Sequence, residues 1–289
     1  MRKRYVIYSA CVGNYDAIET PLAVDDRFDY VLFSDTAIAG QSGIWDVRPL
    51  PYRHDDPVKT ARWVKCHPET LFPDYVSSVW MDSNIRIMDA SVYEEFISVL
   101  DSTTPVCSLR HPERDCIYQE MMTVLENRLE TERVVLQWGH RLFRSRYPEH
   151  NGLAETRIVI RRHSDSRVAT LDRIWWKCIV NFSRRDQLSF NYALWRCQLD
   201  CRYFLEDNIQ SDTRFEVHPH TNPCWRSVPL QHPSKLYRYL LNRPLQRETI
   251  VAAYYTACRH PAPRLAAIVI GQWLRLRFKM SKTVCKTRP

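Results

Sequence analysis

The sequence predicts an α/β fold in which a mixed sheet of apolar strands is flanked by helices. Short apolar runs bounded by turn formers alternate with segments of helical period, the pattern of a layered α/β domain. Several of those runs end in polar clusters, where open α/β sheets place their ligands. The chain of 289 residues, 45% hydrophobic and 26% charged, is long enough to bury a substantial core.

The elements follow in order. The run Arg4-Tyr5-Val6-Ile7-Tyr8-Ser9 reads as the first strand and leads into Cys11-Val12-Gly13-Asn14-Tyr15-Asp16, a loop carrying one of only 6 glycines. Tyr30-Val31-Leu32-Phe33 is a second strand, closed by Ser34-Asp35. Asp56-Pro57 starts a helix, with Asp as N-cap and Pro at the first helical position. That helix carries Lys59, Arg62 and Lys65, three apart, which drift slowly around one side. Ser77-Ser78-Val79-Trp80-Met81 is a buried strand, and Ile85-Arg86-Ile87-Met88 reads as its alternating continuation beyond the break Asp82-Ser83-Asn84. A helix over 92–100 and a strand over 105–109 come next. Residues 114–146 read as mainly helical, with Met121, Met122, Leu125 and Leu129 as a core stripe. A strand over 157–160, helices over 168–182 and 186–197 and a strand over 202–205 complete the body, assigned to residues 1–233. Residues 234–289 read as a helical basic extension split by Pro261-Ala262-Pro263.

The net charge of +8 is concentrated in that extension. Eight of the 41 Lys and Arg lie from Arg259 onward, with none of the 33 acids, so the rest holds 33 of each sign. A charge-balanced body argues against a nucleic-acid partner, which would favour a basic face on the fold. No period repeats, and no apolar run is long enough to span a bilayer. The 10 cysteines include no C-x-x-C pair and no signal-like segment opens the chain, which predicts reduced thiols and a cytoplasmic location.

Four polar groups stand at strand ends or helix starts: Gly13 to Asp16, Asp35, Asp82 with Asn84, and Arg185-Asp186-Gln187. Asp82 and Asn84 offer side-chain oxygens one residue apart, the ligands a hard divalent cation prefers, and a cation there would bridge phosphates; a plain polar turn is the competing reading. His218 and His220 alternate on a strand-like segment, and one of them would complete such a site; the cysteine spacings match no zinc pattern. Lys59, Arg62 and Lys65 suit an anionic leaving group, or else form a solvated helix face. His111, Arg114, Tyr118 and Glu120 crowd a strand-to-helix junction; Tyr118 and Glu120, two apart, cannot share a helix face, so a subset led by His111 and Arg114 is expected at a cleft. Asp186 is either an N-cap or, with Gln187, a contact to a sugar.

Taken together, Tyr8-x-Ala10-x-x-Gly13-Asn14-Tyr15-Asp16, Asp29-Tyr30-x-x-Phe33-Ser34-Asp35, Asp56-Pro57-x-x-x-Ala61-Arg62-x-x-Lys65, Trp80-Met81-Asp82-Ser83-Asn84-Ile85, His111-Pro112-x-Arg114-x-Cys116-x-Tyr118-x-Glu120 and Arg185-Asp186-Gln187-Leu188-Ser189-Phe190 resemble the glycosyltransferase-like domain of plant mucilage-related proteins, a domain also found in bacteria. The resemblance covers roughly residues 5–195. It implies a GT-A-like Rossmann-type nucleotide-binding sheet and hexosyl transfer from a nucleotide sugar, UDP-sugars favoured, to a glycan or glycolipid acceptor, with retention of configuration. It places Ala10, Gly13, Tyr15, Asp16, Asp35, Arg62 and Lys65 around the donor, and His111, Arg114, Tyr118 and Glu120 around the substrate. It makes Asp82, Asn84 and His220, rather than His218, ligands of Mn2+ or Mg2+, and sets Asp186 and Gln187 on the sugar face opposite the leaving group. Asn84 stands where a strict Asp-x-Asp motif has its second carboxylate, and a neutral ligand weakens cation binding. A sugar-nucleotide-binding or scaffolding protein without turnover is the alternative. The apolar and cationic stretch over 264–288 would hold the chain on the anionic inner face of a membrane, each Lys or Arg near it contributing about 1 kcal/mol.

Overall fold

The computed structural model describes residues 5–36, 39–100, 103–205 and 208–222. The expected helical extension, its membrane-contact stretch and the end of the 1–233 body lie outside the described residues. The elements are β1 (Tyr5–Cys11), β2 (Phe28–Ser34), β3 (Gly40–Ser42), β4 (Trp45–Pro49), α1 (Pro57–Lys65), α2 (Pro68–Leu71), β5 (Ser77–Met81), β6 (Ile85–Ile87), α3 (Ser91–Leu100), β7 (Val106–Arg110), α4 (Ile117–Glu126), α5 (Glu132–Arg144), β8 (Ala154–Arg162), α6 (Ser166–Asn181), α7 (Gln187–Cys197), β9 (Arg202–Tyr203) and β10 (Phe215–Val217).

Eight strands form one mixed sheet in the order β3-β4-β2-β1-β5-β8-β7-β9. β4, β2, β1 and β5 run parallel, β8 is antiparallel to both β5 and β7, and β9 runs parallel to β7. This is the expected α/β class, a Rossmann-type parallel half continued by antiparallel strands. Strand residues alternate between two cores. Ile7, Leu32, Val79 and Ile158 pack with Tyr93 and Phe96 of α3, while Val6, Tyr8, Trp80 and Val159 pack with Val64 of α1, Trp175 of α6 and Phe190 of α7. Helices on both faces explain why β1 and β5 are buried at every position rather than at alternate ones.

Two expectations are corrected. Residues 85–88 do not continue the Trp80 strand: Ile85 donates its amide to the Asp82 carbonyl (3.1 Å), the chain turns, and β6 pairs antiparallel with β10 in a separate two-stranded sheet. The strands β3 and β4 were not expected, because Gly40–Ser42 is exposed and polar and Trp45–Pro49 holds just two buried residues.

Residues 118–149 fall outside the compact unit that holds residues 5–117 and 150–222. There α4 and α5 are separated by Arg128 at φ 56°, which breaks the helical stretch read over 114–146. Met121, Leu125 and Leu129 of the expected stripe are buried, and Met122 is half-buried. The Thr131 hydroxyl caps α5 by accepting from the Val134 amide at 3.4 Å. No helix among the described residues is long and apolar enough to cross a membrane, and the seven described cysteines are unbridged thiols.

Candidate active site

The chain leaves β1 for β2 on one side of the sheet and reaches β5 on the other. In open α/β sheets the crevice outside the carboxyl ends of two such strands is where ligands bind. Here it is a cleft of about 170 Å³. Its walls are Ala10, Tyr15 and Asp16 after β1, Asp82 and Ser83 after β5, Arg62 from α1, Thr156 and Arg157 from β8, Arg184 to Gln187 at the start of α7, and His220.

Asp56 accepts from the Val58 amide (2.9 Å) and Pro57 opens α1, as its sequence predicts. The helix then aims Arg62 and Lys65 at Asp186. Lys65 Nζ lies 2.5 Å from Asp186 Oδ2, Arg62 Nε lies 3.2 Å from Oδ1, and Thr156 Oγ1 donates to Oδ2 at 2.9 Å. Asp186 occupies the N-cap position of α7 but caps nothing with its side chain. Burial alone would raise its pKa, yet the charges of Arg62 and Lys65 hold it well below the usual carboxylate range. Burial lowers the Lys65 pKa, with Asp186 and Asp82 opposing the shift. Lys65 is also flanked by the rings of Trp80 (5.3 Å) and Trp175 (5.6 Å). Asp186, expected at a sugar, lines the cleft, and its carboxylate is the anionic hub of a buried charge cluster. Lys65 is fully buried behind the cleft wall and does not line it. Lys59 turns away and donates to the Val180 carbonyl at 3.0 Å.

Also in the cleft lining, Asp16 accepts from Ser83 Oγ (2.7 Å) and from His220 Nδ1 (2.7 Å). A carboxylate can only accept, so Nδ1 carries a hydrogen in this contact. His220 reaches across 204 positions because its segment is laced to the β1 loop. Asn222 donates its amide to the Tyr15 carbonyl (2.9 Å), Ala17 donates its own to Thr221 Oγ1 (3.0 Å), and the Tyr15 and His220 rings lie 4.6 Å apart.

The expected metal triad is not assembled. Asn84 is 7% exposed, its side-chain amide donates to the His218 carbonyl at 2.7 Å, and it does not line the cleft. It is a brace between β6 and the segment after β10. His218 pairs with Glu216 (3.2 Å) and Glu19 (3.5 Å). Asp82 and His220 do share the cleft, with Asp82 Oδ1 accepting from Trp80 Nε1 at 2.8 Å. Among the described residues no three His, Cys, Asp or Glu side chains gather closely enough to cage a metal.

The other expected positions are dispersed. The Gly13 amide, in a left-handed turn (φ 64°), donates to Asp35 Oδ1 at 2.8 Å, which ties the β1 and β2 ends together outside the cleft. His111 accepts from the amides of Glu113 and Arg114 (3.2 Å each), and its Nε2 lies 3.0 Å from Arg114 Nη2. Burial and the Arg114 charge lower its pKa to about 4, so the pair forms a local turn and neither lines the cleft. Tyr118 and Glu120 lie in the 118–149 segment and are buried there, Tyr118 donating to the Tyr147 carbonyl at 3.0 Å. Sequence reasoning missed Thr156 and Arg157, which sit in the cleft because β8 runs antiparallel to β5 with Ile158 opposite Met81, a pairing no local pattern announces. Arg184 was missed as well, although the basic pair Arg184-Arg185 directly before Asp186 was a local signal that could have found it.

No functionally curated protein matches the chain in sequence. Among solved structures, the apo WbbM bifunctional glycosyltransferase aligns with a TM-score of 0.40 at 11% identity, over 69% of this chain and 38% of that one. The chain thus spans well under half of that protein, and a likeness so distant adds nothing to the assignment. A family model described as the TOD1/MUCI70 glycosyltransferase-like domain matches residues 1–217. That is about three quarters of the sequence, and the chain belongs to the TOD1/MUCI70 glycosyltransferase-like family.

Proposed function

We propose that the protein transfers a hexosyl group from a nucleotide sugar, a UDP-sugar by preference, to a glycan or glycolipid acceptor with retention of configuration. The observation that supports this is the set of guanidinium groups that line the switch-point cleft. Arg62, Arg184 and Arg185 line it together with Asp16, Asp82 and His220, Asp82 lying 3.9 Å from Arg62. Guanidinium groups suit the oxygens of a diphosphate and stabilise the charge that develops on it as the sugar bond breaks. Asp186 serves as a positioning residue, orienting Arg62 from beneath. The Gln187 amide, held with its Oε1 3.4 Å from Arg185 Nη2, is the polar group offered to the sugar.

A divalent cation fits this site in reduced form. Asp82 and His220, the latter oriented by Asp16, would hold Mn2+ or Mg2+ together with donor phosphates, since such ions often take one or two protein ligands and complete their shell from phosphate and water. Bound there, the ion would neutralise diphosphate charge. Asn84 has no part in it. We place the reaction in the cytoplasm, with residues 264–288 as the contact to an anionic membrane surface.

Hydrolysis of UDP- and GDP-sugars with Mn2+ tests this reading. Slow release of nucleotide that is abolished by Asp82→Ala supports it. Tight nucleotide binding with no turnover toward any donor would mark a binding module instead.

A further inference from the structure

A second cavity, of about 710 Å³, opens at the far end of α7. Its walls carry Asn151, Asn191, Trp195, Gln198, Asp200 and Tyr203. Gly152 lets two of the wall groups approach its backbone. It adopts φ +78°, and a Cβ there would fall 3.1 Å from Tyr203 Oη and 3.5 Å from Asn191 Nδ2. Asn191, 4% exposed, accepts from the Ala154 amide at 2.8 Å and approaches Tyr203 Oη at 3.3 Å. The Arg110 guanidinium lies over the Tyr203 ring at 4.8 Å. The floor is therefore rigid and polar, not a loose surface dimple.

The chemistry of the wall selects a class of ligand. The exposed amides of Asn151 and Gln198 offer donors and acceptors together, as a polyhydroxylated molecule requires. The indole of Trp195 and the phenol of Tyr203 offer flat apolar faces with a polar edge. The cavity holds one carboxylate, Asp200, and one guanidinium, Arg196, so neither sign dominates. An apolar ligand would want a mostly apolar lining, and a polyanion would want a surplus of cations.

The cavity is also tied to the first cleft. Gln187, Asn191 and Trp195 are four residues apart and share one face of α7. Gln187 lines the cleft and Trp195 the cavity, about 12 Å apart along the axis at about 1.5 Å per residue. Asn151 and Gly152 likewise run directly into Glu155, Thr156 and Arg157 of the cleft.

We propose that this cavity is a carbohydrate subsite that holds a neutral oligosaccharide stretch of the acceptor, whose reacting end lies in the first cleft. The assignment rests on the glycosyl-transfer reading and narrows it: the acceptor is a glycan chain recognised over more than one sugar, not a lipid recognised by its tail.

The test is titration calorimetry of the full chain with a fixed panel of cellotriose, maltotriose, mannotriose and galactotriose, and separately with UDP. The expected result is that at least one trisaccharide binds, and that Trp195→Ala and Asp200→Ala each weaken it about tenfold, a loss of about 1.4 kcal/mol, while UDP binding is unchanged. Asp200 is exposed, so Asp200→Ala leaves a folded protein even if Trp195→Ala does not. The proposal is overturned if no trisaccharide binds the wild type, or if binding survives at full strength in Asp200→Ala and in a folded Trp195→Ala. Failure of the donor reading shows separately, as absence of UDP binding with trisaccharide binding intact.

Discussion

Lys65 Nζ and Asp186 Oδ2 lie 2.5 Å apart with both side chains almost wholly shielded from water, 1% and 4% exposed. Removing one partner leaves the other buried with only its second counter-ion, Arg62 at 3.2 Å for Asp186 and Asp82 at 3.7 Å for Lys65, at a cost of up to about 3–5 kcal/mol. Asp186→Ala and Lys65→Met are each expected to lose that much in urea unfolding. The pair of substitutions together should cost less than the sum of the two, which a double-mutant cycle measures directly.

The Asp16–His220 contact makes a different prediction. Because Asp16 fixes the ring rather than meeting the substrate with a free carboxylate, Asp16→Asn should lower donor turnover by about 10–100-fold, the usual effect of losing a carboxylate behind a working histidine. His220→Ala should lower it further. Equal stability of both variants and the wild type would show the loss to be one of chemistry. A turnover indistinguishable from wild type in His220→Ala would remove the histidine from the site.

Asn84 is a brace. Asn84→Ala leaves the half-buried His218 carbonyl without its side-chain donor and is expected to cost about 1 kcal/mol. Asn84→Asp restores the letter of an Asp-x-Asp motif but sets a carboxylate against a carbonyl. It should therefore destabilise the fold without raising Mn2+ affinity, and calorimetric titration with Mn2+ in the presence of UDP decides the point.

Acid stability separates two kinds of titrating group. Burial lowers the His111 and His163 pKa values to about 4, from an ordinary 6.5. The unfolded chain therefore takes up their protons first as pH falls, and stability drops between about pH 6.5 and 4. The Asp186 pKa is depressed, so its contribution is complete above the unfolded carboxylate range of about 4 and is lost only below it. The loss between pH 6.5 and 4 should be shallower in His163→Gln, whose amide can still meet Ser78, 2.9 Å from the native ring. An unchanged slope would contradict the assignment of that window to the histidines.

What the sequence disclosed follows the range of the interactions. The α1 start was readable because Asp56 and Pro57 act on their own neighbours. The ends of β1 and β5 were readable because an apolar run stopping at Asp16 or Asp82 is a local event. The fate of each polar side chain was not. Asp186 looks like an N-cap or a substrate contact by spacing, and what decides its role is the packing of Lys65 and Arg62 from a helix some 121 positions earlier. Asn84 was drawn away from the cleft by β10, whose pairing with β6 bridges more than 120 residues. His111 and Arg114 looked like cleft groups because titratable residues are dense there, but a tight turn satisfies them locally.

The central claim is that the switch-point cleft holds the diphosphate of a nucleotide sugar. Titration calorimetry of UDP and GDP against the wild type and Arg184→Ala tests it most directly, since Arg184 lines the cleft. Saturable binding of at least one nucleotide, weakened about tenfold or more by Arg184→Ala, which is about 1.4 kcal/mol, is the predicted result. Absence of binding by both nucleotides, with and without Mn2+, or binding indifferent to Arg184, would contradict it.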